Sequence, residues 1–449
     1  MAVRPTAKTI DIYTIDLGQR SDLTPSIVLD THVGRAFVPT WVTGATVGYV
    51  NVFDTTRNTL VRAVPVAIPF GTPAVDEHND YVFVPVNTPT GTVVEMLNAR
   101  NARLLHTTSI SFDAGPTINN RDGHVFVLQS GAYACPGAPM CSNGTGSVGI
   151  LDALSGHPLR RLTVRDQGAN GEIMIDGSER RLVVIRRNPL NNTAMIGILD
   201  TTNGRLVRQI AVPLPVGSYW RSPVVDATTG RIFVAIANVG NGLPLNTSDL
   251  YVLDARSGSV VHRVTIRRIL GDMAVDERLG RVYATSYSAT TLLAIQRPGT
   301  SMAMEVPAGT GDVRVLDART GALLQTVPIK SAAANIAVDR RRGRLFVVSA
   351  GPVVALSGIY AGPGTVSVLN ERNGQLLGTA AVGVNPGAIA VDERTGLAYV
   401  VDNGGLARAA DDWNWVSQGV RRWLPFVPPP RPGPLNFLVS ITVVDASHV

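Results

Sequence analysis

An all-β chain, closed into a ring of small antiparallel sheets, is the fold class this sequence predicts. Three observations predict it. Gly (44) and Pro (29) make up about one residue in six of the 449, which favours tight turns over long helices. Apolar residues reach 45% and charged residues only 16%, so the chain is expected to pack a core rather than stay disordered. A two-part motif recurs along almost the whole chain at a period of about 52 residues, and periods in this range build solenoids, propellers or arrays.

The first half of the motif reads apolar-x-apolar-Asp, a short polar turn often ending in Gly-Arg, then an apolar–aromatic run. Clear copies begin at Asp30, Asp226, Asp276, Asp339 and Asp392, as in Val225-Asp226 followed by Gly230-Arg231-Ile232-Phe233-Val234. Weaker copies sit at Asp76, Asn119 and Asp176. The second half reads Val-Leu-Asp-Ala-x-Thr/Ser-Gly-x-Leu, as in Leu253-Asp254-Ala255-Arg256-Ser257-Gly258 and Leu316-Asp317-Ala318-Arg319-Thr320-Gly321. Degenerate copies at Asp54, Asn98, Asn370 and Asp445 join Asp152, Asp200, Asp254 and Asp317 to make eight. Each half is two short strands around a turn of Asp, Asn, Gly and Ser, which is hairpin chemistry. Four strands per unit make a β-propeller blade, and one blade cannot cover its own faces, so neighbours must stack.

Counting tests the closure. An outer strand follows seven of the eight third strands but not the last, because the chain stops at Val449. An unpartnered alternating strand, Thr9 to Ile15, stands at the other end. The sequence therefore predicts an eight-bladed β-propeller of four-stranded antiparallel blades. Its closure is 3+1, with the N-terminal strand completing the last blade. One domain spans 1–449, with a Trp/Pro-rich insertion at 402–437 in the last blade.

The repeated Val-Asp-x-x-x-Gly-Arg-x-Tyr/Phe-Val half, joined to Val-Leu-Asp-Ala-x-Thr-Gly, resembles the YncE-like family of YVTN-type β-propeller repeats over about residues 9 to 446. The resemblance implies an exported or cell-surface binding module, with heavy chains of amine dehydrogenases among the relatives. That family commonly has seven blades, and the count here is eight. The Leu-Asp-Ala-x-Thr-Gly half also looks like repeats of quinone-cofactor dehydrogenases. Their docking Trp after the Gly is missing from every copy here, as in Ala322-Leu323-Leu324-Gln325, and no adjacent Cys pair is present. No cofactor is expected.

The unusually long segments are 130–146, 237–248, 287–308, 349–363 and 402–437. All fall between second and third strands, and so on one face, while the hairpins opposite stay short. This one-sided elaboration points to a binding face. Within 402–437, Asp411-Asp412 can start a helix carrying Trp413 and Trp423 on one stripe, with Trp415 off it, before Phe426 in a run of prolines. These four residues are candidates for a protein or homo-oligomer contact. A lid over the propeller itself and a membrane-interface anchor are the other readings.

Residues near the start of each first strand should ring the channel mouth on the same face: Asp113, Glu172, Tyr219, Trp220, Arg221, Asp272, Asn335 and Asn385. Acids, amides, an Arg and aromatics together can hold a small polar ligand. An enzyme, either a hydrolase or lyase or an oxidoreductase-associated subunit with its site at this mouth, is the alternative to a non-catalytic binding propeller.

Other chemistry finds little support. No His pair has metal-ligand spacing and no Cys-x-x-Cys-His motif occurs. Gly144 to Gly149 matches a dinucleotide pattern but precedes a strand rather than a helix. Of the 40 basic residues only Lys8 and Lys330 are lysine, an excess of Arg that fits genomic base composition and selection for heat resistance. The basic residues are scattered, with no aromatic-lined stripe for nucleic acid. The uncharged stretch Leu345 to Asn370 is broken by Gly351-Pro352 and Gly362-Pro363-Gly364, so it reads as strand–loop–strand rather than as a transmembrane segment. Cys135 and Cys141 can close a small disulfide loop; a soft-metal site with Met140 and two free thiols are the alternatives. A disulfide would place the protein in the periplasm, at the cell surface or outside the cell. No signal peptide is visible at Met1 to Pro5, which leaves a cytosolic location open as well.

Overall fold

The computed structural model describes residues 10–17, 21, 26–42, 44–110, 115–129, 133–135, 138–141, 145–167, 169–175, 180–188, 193–215, 218–240, 243–292, 304–351, 353–354, 359–360, 362–403 and 439–449. Among these the secondary structure is strand and turn, without a helix. Eight antiparallel sheets form an eight-bladed β-propeller. Blade I comprises Val28–Asp30, Arg35–Thr40, Gly48–Asp54 and Thr59–Val66, in that order from channel to rim. Blades II to VII repeat the plan, with inner strands Ala74–Asp76, Thr117–Asn119, Ala169–Ile175, Tyr219–Asp226, Ile269–Asp276 and Ala333–Asp339. Each inner strand touches the next around the ring, and that of blade VIII, Pro386–Asp392, touches that of blade I.

Closure is as the strand count predicts. Asp11–Asp16 pairs antiparallel with the C-terminal strand Ser440–Asp445, in the register Ile12 to Val444 and Thr14 to Thr442. No helix among the described residues is long and apolar enough to cross a membrane. The stretch from Leu345 to Asn370 takes in all but the first residue of the strand Arg344–Ser349 and the whole of Pro363–Asn370, both in blade VII.

The repeat motif now has a physical reading. Second and third strands are covered by neighbouring blades on both faces, so they read as unbroken apolar runs. Ala36, Phe37 and Val38 are fully buried, as are Val82, Phe83 and Val84. Outer strands face solvent and alternate, as in the exposed Leu206 and buried Ile210 and Val212 of blade IV. The Asp or Asn that closes a third strand holds the 3–4 hairpin by accepting backbone N–H groups two and three residues on, as Asp254 does from Arg256 (2.9 Å) and Ser257 (2.6 Å). Gly258, at φ 73°, accepts a left-handed conformation that closes this turn. The Gly-Arg of the first half meets the Asp of the second across the ladder. Arg35 lies opposite Asp54 and pairs with it at 2.9 Å; Arg181 does the same with Asp200 at 2.8 Å, and Arg231 with Asp254.

The five long segments do fall between second and third strands, but four of them contain β-structure rather than plain loop. In blade V the strands Arg231–Gly240 and Leu243–Asp254 run on to the pair Gly240–Leu243. In blade VI, Arg281–Leu292 and Met304–Asp317 pair as far as Leu292–Met304. Small separate hairpins, Tyr133–Cys135 with Ala138–Cys141 and Val353–Val354 with Ile359–Tyr360, occupy the corresponding place in blades III and VII. A ladder bulge marks each long extension, at Asn238/Val239 and at Tyr287/Ser288. Extending a hairpin satisfies backbone groups that a loop of equal length would leave to solvent.

Candidate functional site: the channel mouth

The inner strands carry the mouth, and they are irregular where they do so. Register shifts recur near their starts, between Ala169 and Gly171, Arg221 and Val224, Leu270 and Met273, Ala333 and Asn335, and Pro386 and Ile389. In blade II the inner strand is split, Ile68–Pro69 pairing before the break and Ala74–Asp76 after it. Bulges re-aim side chains and concentrate beside binding sites. The predicted residues of blades IV to VIII lie at or beside these shifts.

Three of them converge across three blades. The Trp220 indole of blade V donates to the Glu172 carboxylate of blade IV, and Asp272 of blade VI lies close enough to act on the same group. Burial pushes Glu172 up to about 7; the Trp220 hydrogen bond opposes this and the Asp272 charge adds to it. Asp272 is itself tied down. Its Oδ1 accepts from the Met273 N–H (2.9 Å) and its Oδ2 from Ile336 N–H of blade VII (3.5 Å). The buried Thr285 hydroxyl lies within hydrogen-bond distance of the Asp272 N–H (2.9 Å) and of the Ala334 carbonyl of blade VII (2.9 Å).

Tyr219 and Arg221 leave the same strand on the side opposite Trp220. Arg221 donates to the Tyr219 hydroxyl (3.1 Å) and to the buried Tyr287 of blade VI (2.7 Å), and its guanidinium lies 4.7 Å from the Tyr219 ring centre. Asn335 is half-buried beside its bulge. Asn385 has another explanation: at φ 54° it makes the left-handed step between blades VII and VIII, and its carbonyl accepts from Asn403 N–H (3.2 Å). Asp113, Trp413, Trp415, Trp423 and Phe426 lie outside the described residues, as do the side chains of Cys135 and Cys141.

A cavity of about 640 Å³ opens along Glu172. Its walls come from four successive blades: Phe70 to Thr72 at the split in blade II, Gly115 to Thr117, Gly171 to Ile175, and Pro223. The glycines are needed for close approach. A Cβ on Gly115 would stand 2.4 Å from the Thr72 carbonyl oxygen, and one on Gly171 2.7 Å from that of Ile185. Sequence reasoning did not pick out these glycines, although Gly71, Gly115 and Gly171 stand shortly before or at the start of three successive inner strands. A second hollow, about 530 Å³, lies on the same face at the blade I turn around Trp41, whose indole donates to the Ala45 carbonyl (2.8 Å). Val42, Val47 and Tyr49 are exposed along it. Exposed Leu and Val on the outer strands recur from blade to blade and belong to the repeat, whereas this patch lies in a 2–3 connection and departs from it. Among the described residues no three His, Cys, Asp or Glu side chains gather in a metal-binding group.

The geometry defines an eight-bladed propeller with an elaborated mouth. No family model and no curated protein matches the chain. Solved structures do. The Dos1 propeller superposes with a TM-score of 0.60 at 10% identity, over 97% of this chain and 95% of that one. A europium-containing methanol dehydrogenase follows at 0.54 and 12%, covering 96% and 92%. The quinohemoprotein alcohol dehydrogenase ADHIIG of Pseudomonas putida HK5 gives 0.53 and 14%, covering 98% and 76%. At such identities the likeness is one of fold.

Proposed function

We propose that this chain is a non-catalytic propeller that binds a protein partner through the face bearing its strand 2–3 elaborations. One observation carries the reading: every long departure from the repeat leaves that face, while the opposite hairpins keep one length and one turn chemistry. The apolar hollow at Trp41, Val42, Val47 and Tyr49 on the same face supports it. A second copy of the chain is the competing occupant. Native mass spectrometry of protein from its source tests the reading. A complex lost when the blade V extension beyond Asn238 is cut back supports it; a complex indifferent to that change counts against it, and a pure homo-oligomer replaces the partner by a copy.

Two companion proposals go with it. Kinship to the YncE-like repeats is supported by the two-part motif and the four-stranded blade. Export is supported by Cys135 and Cys141 sharing one two-stranded hairpin; thiol titration of unreduced protein that finds two free thiols would remove that support. The enzyme alternative rests on Glu172, an acid poised near neutrality at the mouth.

A further inference from the structure

We propose that the cavity along Glu172 binds a small organic cation, an alkylammonium group, with the Glu172 carboxylate as its counter-ion. This deepens the binding reading for the elaborated face and rests on it, but at a site separate from the protein-docking surface. Four facts lead there. The volume, about 640 Å³, falls in the range of small-molecule sites. Glu172 is the one ionisable residue among the described residues lining it, and Met174, Ile175 and Pro223 supply apolar wall for an alkyl chain. Among the described residues none that lines it offers a cation. The nearest guanidinium on the adjoining inner strand, Arg221, is engaged by Tyr219 and Tyr287 on the blade VI side.

The other charged groups around Glu172 sharpen the point. Arg186, on the second strand of the same blade, is buried and donates to the carbonyls of Gln129 (2.6 Å) and Ser147 (3.3 Å) in blade III. Asp272 adds like charge from blade VI. Trp220 supplies one hydrogen bond, where an ionised carboxylate can accept about four. Burial and the Asp272 charge make an ionised Glu172 costly, and an ammonium group beside it supplies opposite charge and further donors. Binding should then draw a proton off Glu172 wherever it is protonated in the free protein.

The test is calorimetric titration of the intact chain with n-hexylammonium chloride, with 1-hexanol and sodium hexanoate as neutral and anionic controls. The expected result is saturable binding of the ammonium at about pH 8, at least about tenfold tighter than either control, and weaker by about tenfold or more at about pH 5.5. Glu172→Gln should lose about tenfold or more, and Glu172→Asp less. Equal binding of hexanol, affinity independent of pH, undiminished binding by folded Glu172→Gln, or no saturation at millimolar ammonium would each overturn the proposal. Should Glu172→Gln fail to fold, the pH and hexanol comparisons decide alone. None of these outcomes bears on whether a protein complex depends on the blade V extension, so the two readings fail separately.

Discussion

The two faces of this propeller are built from the same repeat and have opposite characters. The hairpin face is stitched from blade to blade. Thr31 N–H donates to Glu77 of the next blade (2.8 Å), and Ala227 N–H to Glu277 (3.1 Å). The Arg160 guanidinium reaches the Thr202 carbonyl (2.6 Å), Arg281 and Tyr283 share the Glu371 carbonyl, Arg342 reaches that of Glu393 (2.8 Å), and Tyr399 reaches that of Thr55 across the closure (3.0 Å). On the opposite face, among the described residues, cross-blade contacts lie at the bulges of the inner strands and at Arg186 on the second strand of blade IV, and beyond them the 2–3 connections differ from blade to blade. A hairpin whose residues serve both its own turn and its neighbour's cannot change length without breaking both. A connection beyond the last cross-blade contact can, which is why variation accumulates there.

Four comparisons, the first between a pair of glycines, probe this contrast, beginning with the largest effect. Gly204→Ala should be severe, about 2–4 kcal/mol by denaturant unfolding. Its φ is 69° and its new Cβ would stand 2.2 Å from Leu162 Cδ2 of the preceding blade. Gly230→Ala, at φ 65° with nothing within 4 Å, should cost only about 1 kcal/mol. Equal costs would mean that hairpin contacts between blades matter little.

Glu172→Gln should act in the other direction. Burial raises the native Glu172 to about 7 from 4.5, so the wild type loses stability as pH rises through that window, and the glutamine variant does not. Above about pH 8 the variant should be the more stable, by on the order of 1–3 kcal/mol, with the gain shrinking to nothing below about pH 4.5. A constant difference across pH would show that the carboxylate is not buried as described.

Asp254 gives the opposite sign. Burial works against its charge, yet hydrogen bonds from Ser257 and Arg231 hold it down to about 2 from 3.8. Its contribution is present at neutral pH and is lost as pH falls through about 2. Asp254→Asn should cost about 1–2 kcal/mol near pH 7 and converge on the wild type in strong acid. Smallest of all, joining Asn238 to Thr247 through an Asn-Gly turn should shift stability by less than about 0.5 kcal/mol. A larger loss would make that extension part of the scaffold.

Much of the ring was legible in sequence because its determinants are local. Asp at a fixed place before Gly encodes a turn, period-2 alternation encodes an outer strand, and Thr9 to Ile15 stood out as a strand without a partner. The site was legible only in part. The mouth residues were placed by their position in the repeat, but the meeting of Glu172, Trp220 and Asp272 joins residues about 50 apart, and no local pattern encodes it. At Asn385 the sequence pattern does not separate a mouth side chain from the left-handed backbone step that the residue makes. Glu371 was missed for a similar reason: it looks like a turn residue, yet it is buried under Arg278 of the preceding blade and pushed up to about 7. The extended hairpin of blade VI reads as a loop because strands that run past the repeat need no repeat signal, whereas that of blade V carries its own Asn241-Gly242 turn signal, hidden by reading the segment only as a departure from the repeat.

The most direct measurement compares complexes formed by three forms of the protein from its native source: wild type, the Asn238–Thr247 shortening, and Glu277→Gln on the stitched face. Native mass spectrometry should show a bound partner on wild type and Glu277→Gln but not on the shortened form, with all three folded. A partner that stays on the shortened form and leaves with Glu277→Gln would place recognition on the wrong end of the ring and contradict the account.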